Sequence, residues 1–214
     1  MIRSAWLGRV GYAEALAMQE QMVAEKIADR SVADALLLLE HESVYTIGRT
    51  LDQRSLGGGK LPYPVVVTGR GGQATYHGPG QLIGYPVIDL KEHGEDLHRY
   101  LRKLEGWIMA ICGHWGVVGE RREGLTGVWV GEKKIASIGI GVRRWVSMHG
   151  FALNVGGDLS PYQAITPCGI AGVEMTSLER ESGRALEVEA VAAIASALAG
   201  QHLCRDVSLG GQKV

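Results

Sequence analysis

The sequence predicts a single α/β domain in which helices flank a mixed β-sheet. Three observations lead to this fold class. Helical and strand-like patterns alternate along the chain, no repeat, linker or low-complexity block divides its 214 residues, and that length can bury a substantial core without disulfides or metals. We therefore expect residues 1–214 to form one domain.

Three segments carry apolar residues at the spacing of an amphipathic helix. They cover residues 12–28, 94–118 and 186–198. The residues before the first segment lead almost directly into its helical pattern, which leaves no room for a targeting segment. We expect the first two helices to pack on the sheet.

Seven short runs of apolar residues predict strands. They are residues 35–39, 43–47, 64–68, 81–90, 126–130, 133–142 and 145–154. The last three are joined by two-residue turns and predict an antiparallel meander. Residues 49–60 form a glycine-containing loop, which is typical either of a functional lid or of an ordinary surface loop.

Composition narrows the class of protein. The formal net charge of −1 argues against strong steering toward nucleic acid, and no apolar run is long enough to span a membrane. The cysteines Cys112, Cys168 and Cys204 are an odd and widely spaced set, so we expect neither disulfides nor a metal site. We expect a cytoplasmic protein and a monomer, although no sequence feature fixes the oligomeric state.

Residues 69–81 are rich in glycine and in side-chain donors. Adjacent glycines allow backbone N–H groups to converge on a ligand, and Arg70, Thr75, Tyr76 and His77 add further donors. The segment lacks the lysine and following helix of a phosphate-binding loop. We expect a turn between strands that cradles a substrate, while a purely conformational turn is the alternative.

Cys168 lies between a proline and a glycine in residues 166–170. Such a turn holds the sulfur where little else can cover it, so the thiol can face a ligand as a nucleophile. The alternative is a buried packing residue, which is common for free cysteines. Cys112 and Cys204 are expected to be structural or incidental.

A nucleophilic thiol needs a nearby cation or base, and the strand at residues 133–142 offers Lys134. Strict alternation sends Lys134, Ala136 and Ile138 to one face of this strand and Ile135, Ser137 and Gly139 to the other. The alternative for Lys134 is a solvated charge beside a turn. His77 and His149 are the competing bases, because cysteine–histidine pairs are common in thiol enzymes.

Four ordered motifs, at residues 70–81, 134–139, 149–154 and 166–170, resemble the lipoyl(octanoyl) transferases. The resemblance covers most of the chain and implies the α/β architecture of the biotin and lipoate protein ligase catalytic domains. It also implies transfer of an octanoyl group from octanoyl-acyl carrier protein to a lysine of lipoyl domains. The implied acceptors are the E2 subunits of 2-oxoacid dehydrogenases and the H protein of glycine cleavage, and no cofactor is implied.

The resemblance also implies roles for particular residues. Cys168 would carry the acyl group as a thioester, and Lys134 would activate the thiol and move its proton. The substrate-binding residues would be Arg70, Gly71, Gly72, Gln73, Ala74, Thr75, Tyr76, His77, Ser137, Ile138, Gly139, Gly150, Phe151 and Ala152. The chain departs from the family pattern at Glu42 and Ser43, where prolines are common.

Three other functions suit parts of the sequence. An ATP-dependent lipoate or biotin ligase would fit the fold and the glycine-rich motif but would not use Cys168. A thiol hydrolase would release the acyl group to water. A noncatalytic binding protein would need neither Cys168 nor Lys134.

Overall fold

The computed structural model describes residues 2–51 and 53–203. Within these ranges it contains ten strands and four α-helices. In chain order they are β1 (Ile2–Val10), α1 (Tyr12–Ala28), β2 (Asp34–His41), β3 (Val44–Ile47), β4 (Val65–Val67), β5 (Thr75–His77), β6 (Gln81–Val87), α2 (Leu97–His114), β7 (Glu120–Arg122), β8 (Leu125–Val130), β9 (Lys133–Arg143), β10 (Val146–Asn154), α3 (Leu178–Ser182) and α4 (Val188–Leu203).

Seven strands form the large sheet in the order β1-β2-β6-β10-β9-β8-β7. Only the β1–β2 pair is parallel, so the sheet is mixed, as predicted. The leucine run of β2 is buried on both faces, which is why it lacks alternation. Leu36 and Leu38 pack toward α2 and α4, whereas Leu37 and Leu39 pack toward α1.

Helix α2 covers the face of the large sheet that carries Phe151. It begins after Asp96, whose side chain accepts the backbone N–H of Arg99 and caps the first turn. Its apolar stripe is buried, and the Trp107 ring meets the Phe151 ring edge-on with centroids 5.1 Å apart. Helix α1 packs on the opposite face, so the expected positions of both helices are confirmed.

A second sheet of three strands, in the order β4-β3-β5, packs around its own apolar cluster. The glycine-rich motif is therefore more than the predicted turn, because its residues Thr75–His77 form β5 and pair with β3. The loop before β5 crosses the large sheet, where the Gly71 N–H donates to the Ile140 carbonyl at 2.8 Å. The motif thus joins the two sheets.

The first strand, β1, is absent from the sequence-based prediction, which placed a helical pattern almost at the start of the chain. β1 is an edge strand, and most of its side chains are exposed or half-buried. Its pairing shifts between Trp6 and Arg9, where Gly8 has a φ of 65°. An exposed, interrupted edge strand gives no clean alternation of apolar residues.

Other boundaries differ by a few residues. The strand predicted at residues 81–90 ends at Val87, and a 3₁₀ turn follows at Leu90–His93. The meander is confirmed, with β7 as an additional strand at its outer edge. No helix in the described ranges combines the length and apolar character needed to cross a bilayer.

Two of the three cysteines are described by the structure. Cys112 is fully buried on the inner face of α2, and burial raises the pKa of its thiol to about 12. Its predicted structural role fits this position. Cys204 lies outside the described residues.

Candidate active site

Cys168 lies in a 3₁₀ turn, Pro167–Gly169, with left-handed backbone angles of φ 54° and ψ 19°. Such angles cost a non-glycine residue of order 1–3 kcal/mol and occur disproportionately at functional sites. The turn is held by the Cys168 N–H, which donates to the Ala74 carbonyl at 2.9 Å, and by the Thr166 N–H, which donates to the Ser55 carbonyl at 2.8 Å. The sulfur is half-buried and borders a cavity.

Lys134 is fully buried beside this sulfur. Its Nζ donates to the Thr126 carbonyl at 3.1 Å and to Cys168 Sγ at 3.2 Å, and it lies 4.8 Å from the centre of the Trp129 ring. No carboxylate pairs with it among the described residues. The alternative of a solvated lysine at the hairpin edge is therefore wrong.

The predicted alternation along β9 fails at Lys134. Val128 of β8 faces Ala136, but Trp129 faces Lys134, so Ile135 is an extra residue in the ladder. This bulge places Lys134 and Ser137 on the same side of the strand, where the Ser137 hydroxyl lies 3.7 Å from Cys168 Sγ. The prediction that the two residues face opposite ways is wrong.

The peptide between Thr126 and Gly127 anchors the lysine, a role that no sequence motif indicates. Its carbonyl accepts from Lys134, and its N–H donates to Glu105 Oε1 at 3.2 Å. Glu105 Oε2 in turn pairs with Arg102 at 2.6 Å and Arg121 at 3.1 Å. In the sequence, Glu105 lies four residues after Leu101 and three before Ile108, on the apolar side of the predicted helix, and a charge at such a position is the available signal.

Gly127 leaves room for the lysine. A Cβ there would lie 2.7 Å from Lys134 Cε and 2.6 Å from the Ala136 carbonyl oxygen, and the φ of 133° also disfavours other residues. A glycine inside a strand often marks a close approach of this kind. Gly127 lies within the strand predicted at residues 126–130 and belongs to none of the predicted site residues.

A cavity of about 580 Å³ opens in front of Cys168. Twelve of the fourteen predicted substrate-binding residues line it: Arg70, Gly71, Gly72, Gln73, Thr75, His77, Ser137, Ile138, Gly139, Gly150, Phe151 and Ala152. Ala74 and Tyr76 do not, because they pack in the core of the small sheet. Lys134 lies behind the sulfur and does not border the cavity.

Arg70 brings a buried cation to the cavity wall. Its guanidinium donates to the Thr46 carbonyl at 2.9 Å, to Thr46 Oγ1 at 2.7 Å and to the Gly71 carbonyl at 3.0 Å. These acceptors are all uncharged, and Arg70 makes no ion pair with a described carboxylate. Burial lowers its pKa, but arginine stays protonated at neutral pH.

Both predicted histidines line the cavity in neutral form. Burial lowers the pKa of His149 to about 4 and lowers the pKa of His77 well below its usual range. No hydrogen bond joins either ring to Cys168 among the described residues. Of the three candidate bases, the structure brings only Lys134 into contact with the sulfur.

Most of the chain is similar to proteins of known family. Residues 11–198 match the family model of the lipoyl protein ligase A/B catalytic domain. An octanoyltransferase of Geobacter sulfurreducens is 52% identical over 91% of this chain and 82% of its own. One of Citrifermentans bemidjiense is 54% identical over 86% of this chain and 88% of its own.

The chain belongs to the octanoyltransferase family. Solved structures of other proteins have the same fold as this octanoyltransferase family member. A bipartite lipoate protein ligase of Thermoplasma acidophilum superimposes with a TM-score of 0.65 at 16% identity, over 95% of this chain and 84% of that one. Biotin protein ligase of Aquifex aeolicus gives 0.56 at 13% identity, over 95% and 69%. The predicted resemblance and fold class are confirmed.

Proposed function

We propose that this octanoyltransferase moves an octanoyl group from octanoyl-acyl carrier protein to a lysine of lipoyl domains through a thioester on Cys168. The observation that carries the proposal is the 3.2 Å contact between Lys134 Nζ and Cys168 Sγ at the edge of a cavity. A buried amine with no carboxylate partner suits an ammonium that stabilises a thiolate. The names of the close relatives support the octanoyl group as the cargo.

In the first step, the Cys168 thiolate attacks the octanoyl carbonyl carbon and a new carbon–sulfur bond forms. The bond to the carrier sulfur then breaks, and the departing thiolate takes a proton from the Lys134 ammonium. The products are octanoyl-Cys168, a neutral Lys134 and a free carrier thiol. Because the donor is already a thioester, this step needs no ATP, metal or other cofactor.

In the second step, the neutral amine of the acceptor lysine attacks the octanoyl-Cys168 carbonyl. The nitrogen passes a proton to the neutral Lys134 as the amide bond forms and the carbon–sulfur bond breaks. Cys168 leaves as a thiolate beside the restored ammonium, so one pair of side chains serves both half-reactions.

Of the fourteen predicted substrate-binding residues, in the motif 70–77, the strand 137–139 and the strand 150–152, the twelve that line the cavity would hold the octanoyl chain and its linkage. The acceptors would be the lipoyl domains of E2 subunits and of the glycine cleavage H protein. One structural neighbour, the bipartite lipoate protein ligase of Thermoplasma acidophilum, belongs to a lipoylation system with an E2 lipoyl domain, which supports acceptors of this class. We take residues 1–214 as one catalytic domain that acts as a monomer in the cytoplasm.

The test is incubation of the protein with octanoyl-acyl carrier protein, followed by intact-mass measurement and peptide mapping. We expect the mass of one octanoyl group on Cys168 without ATP, and its loss when an apo lipoyl domain is added. Cys168→Ser should not form the thioester, whereas Cys112→Ala removes a buried thiol and should label normally. Labelling that needs ATP would identify a ligase, and release of free octanoate without acceptor labelling would identify a hydrolase.

A further inference from the structure

We propose that Glu105 is a positioning residue for octanoyl transfer. Through one peptide group of β8, it holds the Lys134 amine in its charged form and in contact with Cys168. The inference rests on the proposed transfer reaction. It goes beyond that reaction because it gives a fully buried carboxylate, which does not line the cavity, a part in the proton chemistry of the pair.

One chain of hydrogen bonds joins the carboxylate to the sulfur. Oε1 of Glu105 accepts the Gly127 N–H at 3.2 Å. The carbonyl of the same peptide group, that of Thr126, accepts from Lys134 Nζ at 3.1 Å, and this nitrogen also donates to Cys168 Sγ at 3.2 Å. Hydrogen bonds in such a chain polarise one another, so a negative charge at the N–H end makes the carbonyl oxygen a stronger acceptor for an ammonium group.

The two oxygens of the Glu105 carboxylate have separate partners. Oε2 accepts from Arg102 at 2.6 Å and from Arg121 at 3.1 Å, and the Arg121 guanidinium also donates to the Arg102 carbonyl at 2.9 Å. Oε1 accepts from the Gly127 N–H. The arginines therefore fix the carboxylate so that its other oxygen faces the peptide group of β8.

Pairing with the arginines does not by itself require a buried carboxylate. The Arg102 and Arg121 side chains are half-exposed, so a glutamate at the surface could pair with them, whereas Glu105 is 0% exposed. Burying a carboxylate costs free energy. The contact that burial makes possible is the hydrogen bond to the Gly127 N–H, and the carbonyl of that peptide group holds Lys134.

The carboxylate is also close enough to act on the amine through its charge. Peptide C=O and C–N bonds are about 1.23 and 1.33 Å long, so with the two hydrogen bonds Glu105 Oε1 lies within about 9 Å of Lys134 Nζ. Opposite charges at this distance attract, which favours the ammonium over the neutral amine. The arginine charges oppose this effect, but solvent screens their half-exposed side chains.

Other charged groups around the pair lie on separate elements. They are Arg70 of the glycine-rich motif, Arg122 beside the Trp129 ring, and Lys133 with its partner Glu174. These side chains are the same in the wild type and in a Glu105 variant. A difference between the two proteins therefore reports on Glu105.

The test measures kcat and kcat/KM for octanoyl transfer from octanoyl-acyl carrier protein to a lipoyl domain, from neutral to alkaline pH. Glu105→Gln keeps an oxygen that can accept the Gly127 N–H and removes the charge. We expect the alkaline limb of its kcat/KM profile to move about one unit to lower pH, because the ammonium that protonates the departing carrier thiolate is lost sooner. A variant that merely unfolds more readily would lose rate at every pH and keep the position of that limb, and circular dichroism at each pH checks the fold.

Glu105→Asp keeps the charge but is one methylene shorter, which withdraws the oxygen from the Gly127 N–H. We expect kcat to fall about tenfold to a hundredfold, since displacement of a reacting group by about 1 Å can cost that much. The KM for the carrier and the position of the alkaline limb should stay near the wild-type values. This variant decides the matter if Glu105→Gln does not fold.

Glu132→Gln is the matched control, because Glu132 also pairs with an arginine but is exposed. It should change neither kcat nor the alkaline limb. A folded Glu105→Gln with the wild-type alkaline limb, or full kcat in Glu105→Asp, would overturn this role of Glu105 while wild-type octanoyl transfer still stood. A wild type that transfers no octanoyl group would overturn the proposed function as well.

Discussion

The surroundings of the Lys134 amine favour one role for it, as the partner of the Cys168 sulfur. Its amine has the Thr126 carbonyl, the Trp129 ring and the Cys168 sulfur as neighbours, and its side chain is fully buried. A buried charge without a carboxylate is costly unless a partner acquires the opposite charge. At the scale of single residues, we propose the thiolate of Cys168 as that partner.

Replacing Lys134 with methionine keeps the volume and removes the amine. We expect octanoyl transfer to slow by about 10²–10⁴-fold, the usual contribution of a positioned acid–base group. The rate of Cys168 octanoylation, followed by mass spectrometry, measures it. Lys133→Met, at the half-exposed neighbouring position that pairs with Glu174, is the matched control. Near-normal turnover in Lys134→Met would move the base role to His77 or His149.

A second prediction at the residue scale concerns the effect of Gly127 on the rate of octanoyl transfer. In Gly127→Ala, the new methyl group would meet Lys134 Cε at 2.7 Å and push the amine away from the sulfur. We expect transfer to fall about a hundredfold, as misplacement of a reacting group by about 1 Å can do. Gly113→Ala, a helical glycine with open space around it, should leave the rate unchanged. A Gly127→Ala protein with full activity would contradict this role of the glycine.

At the scale of elements, the bulge in β9 decides which side chains meet. The sequence was enough to predict β9, its partners in the meander and the helices on both faces, because these depend on local apolar patterns. It was not enough to predict that Lys134 and Ser137 share a side. That outcome depends on one extra residue in the ladder, and a bulge is fixed by pairing between strands.

The remaining differences between the predicted and the observed strands also arise where local apolar patterns carry no information. β1 and β7 lie at the two edges of the large sheet, where exposed side chains give no clear period. β5 is hidden in a glycine-rich motif that serves as both strand and cavity wall. Four motifs predicted the site residues by resemblance, but the contact between Glu105 and Gly127 joins segments that no local pattern connects.

Glu105 links α2 to β8 and predicts an element-scale effect on stability. Glu105→Gln keeps the shape but removes the charge that Arg102 and Arg121 share, and those side chains are 49% and 42% exposed. We expect the free energy of unfolding to fall by roughly 1–3 kcal/mol, since solvent screens the exposed partners. Denaturant titration measures it.

The control for this substitution is Glu132→Gln. Glu132 also pairs with an arginine, Arg122, but its side chain is 92% exposed. Surface pairs contribute little, so a change of less than about 0.5 kcal/mol is expected. Equal losses of unfolding free energy in the two variants would mean that the burial of Glu105 does not add to the stability of the protein.

For the whole molecule, the buried histidines couple stability to pH. His77 and His149 line the cavity, and the His41 ring lies behind them, 5.8 Å from the His77 ring. Burial lowers the pKa of His41 to about 4, as it does for His149. The unfolded chain binds these protons near pH 6.5 and the folded chain does not. Stability is therefore complete above about pH 6.5 and is lost as pH falls toward 4.

We expect each of His41 and His149 to cost roughly 3 kcal/mol of unfolding free energy once the pH falls to about 4, because about 2.5 pKa units separate the two states. Denaturant titrations between pH 7 and pH 4 test this. His41→Gln should flatten the slope, whereas the same change at the exposed His98 should not. A slope that His41→Gln leaves intact would assign the effect to other groups.

The two members of the proposed catalytic pair belong to different sheets. Cys168 is tied through Ala74 to the small sheet, while Lys134 lies on β9 of the large one. Their contact depends on the docking of the two sheets and on the pairing of Lys134 with Glu174 and Thr176, in the segment that follows Cys168. A newly made or partly unfolded chain can therefore hold both side chains and still carry no reactive thiolate. We therefore expect the proposed thiolate to form only after these segments have paired.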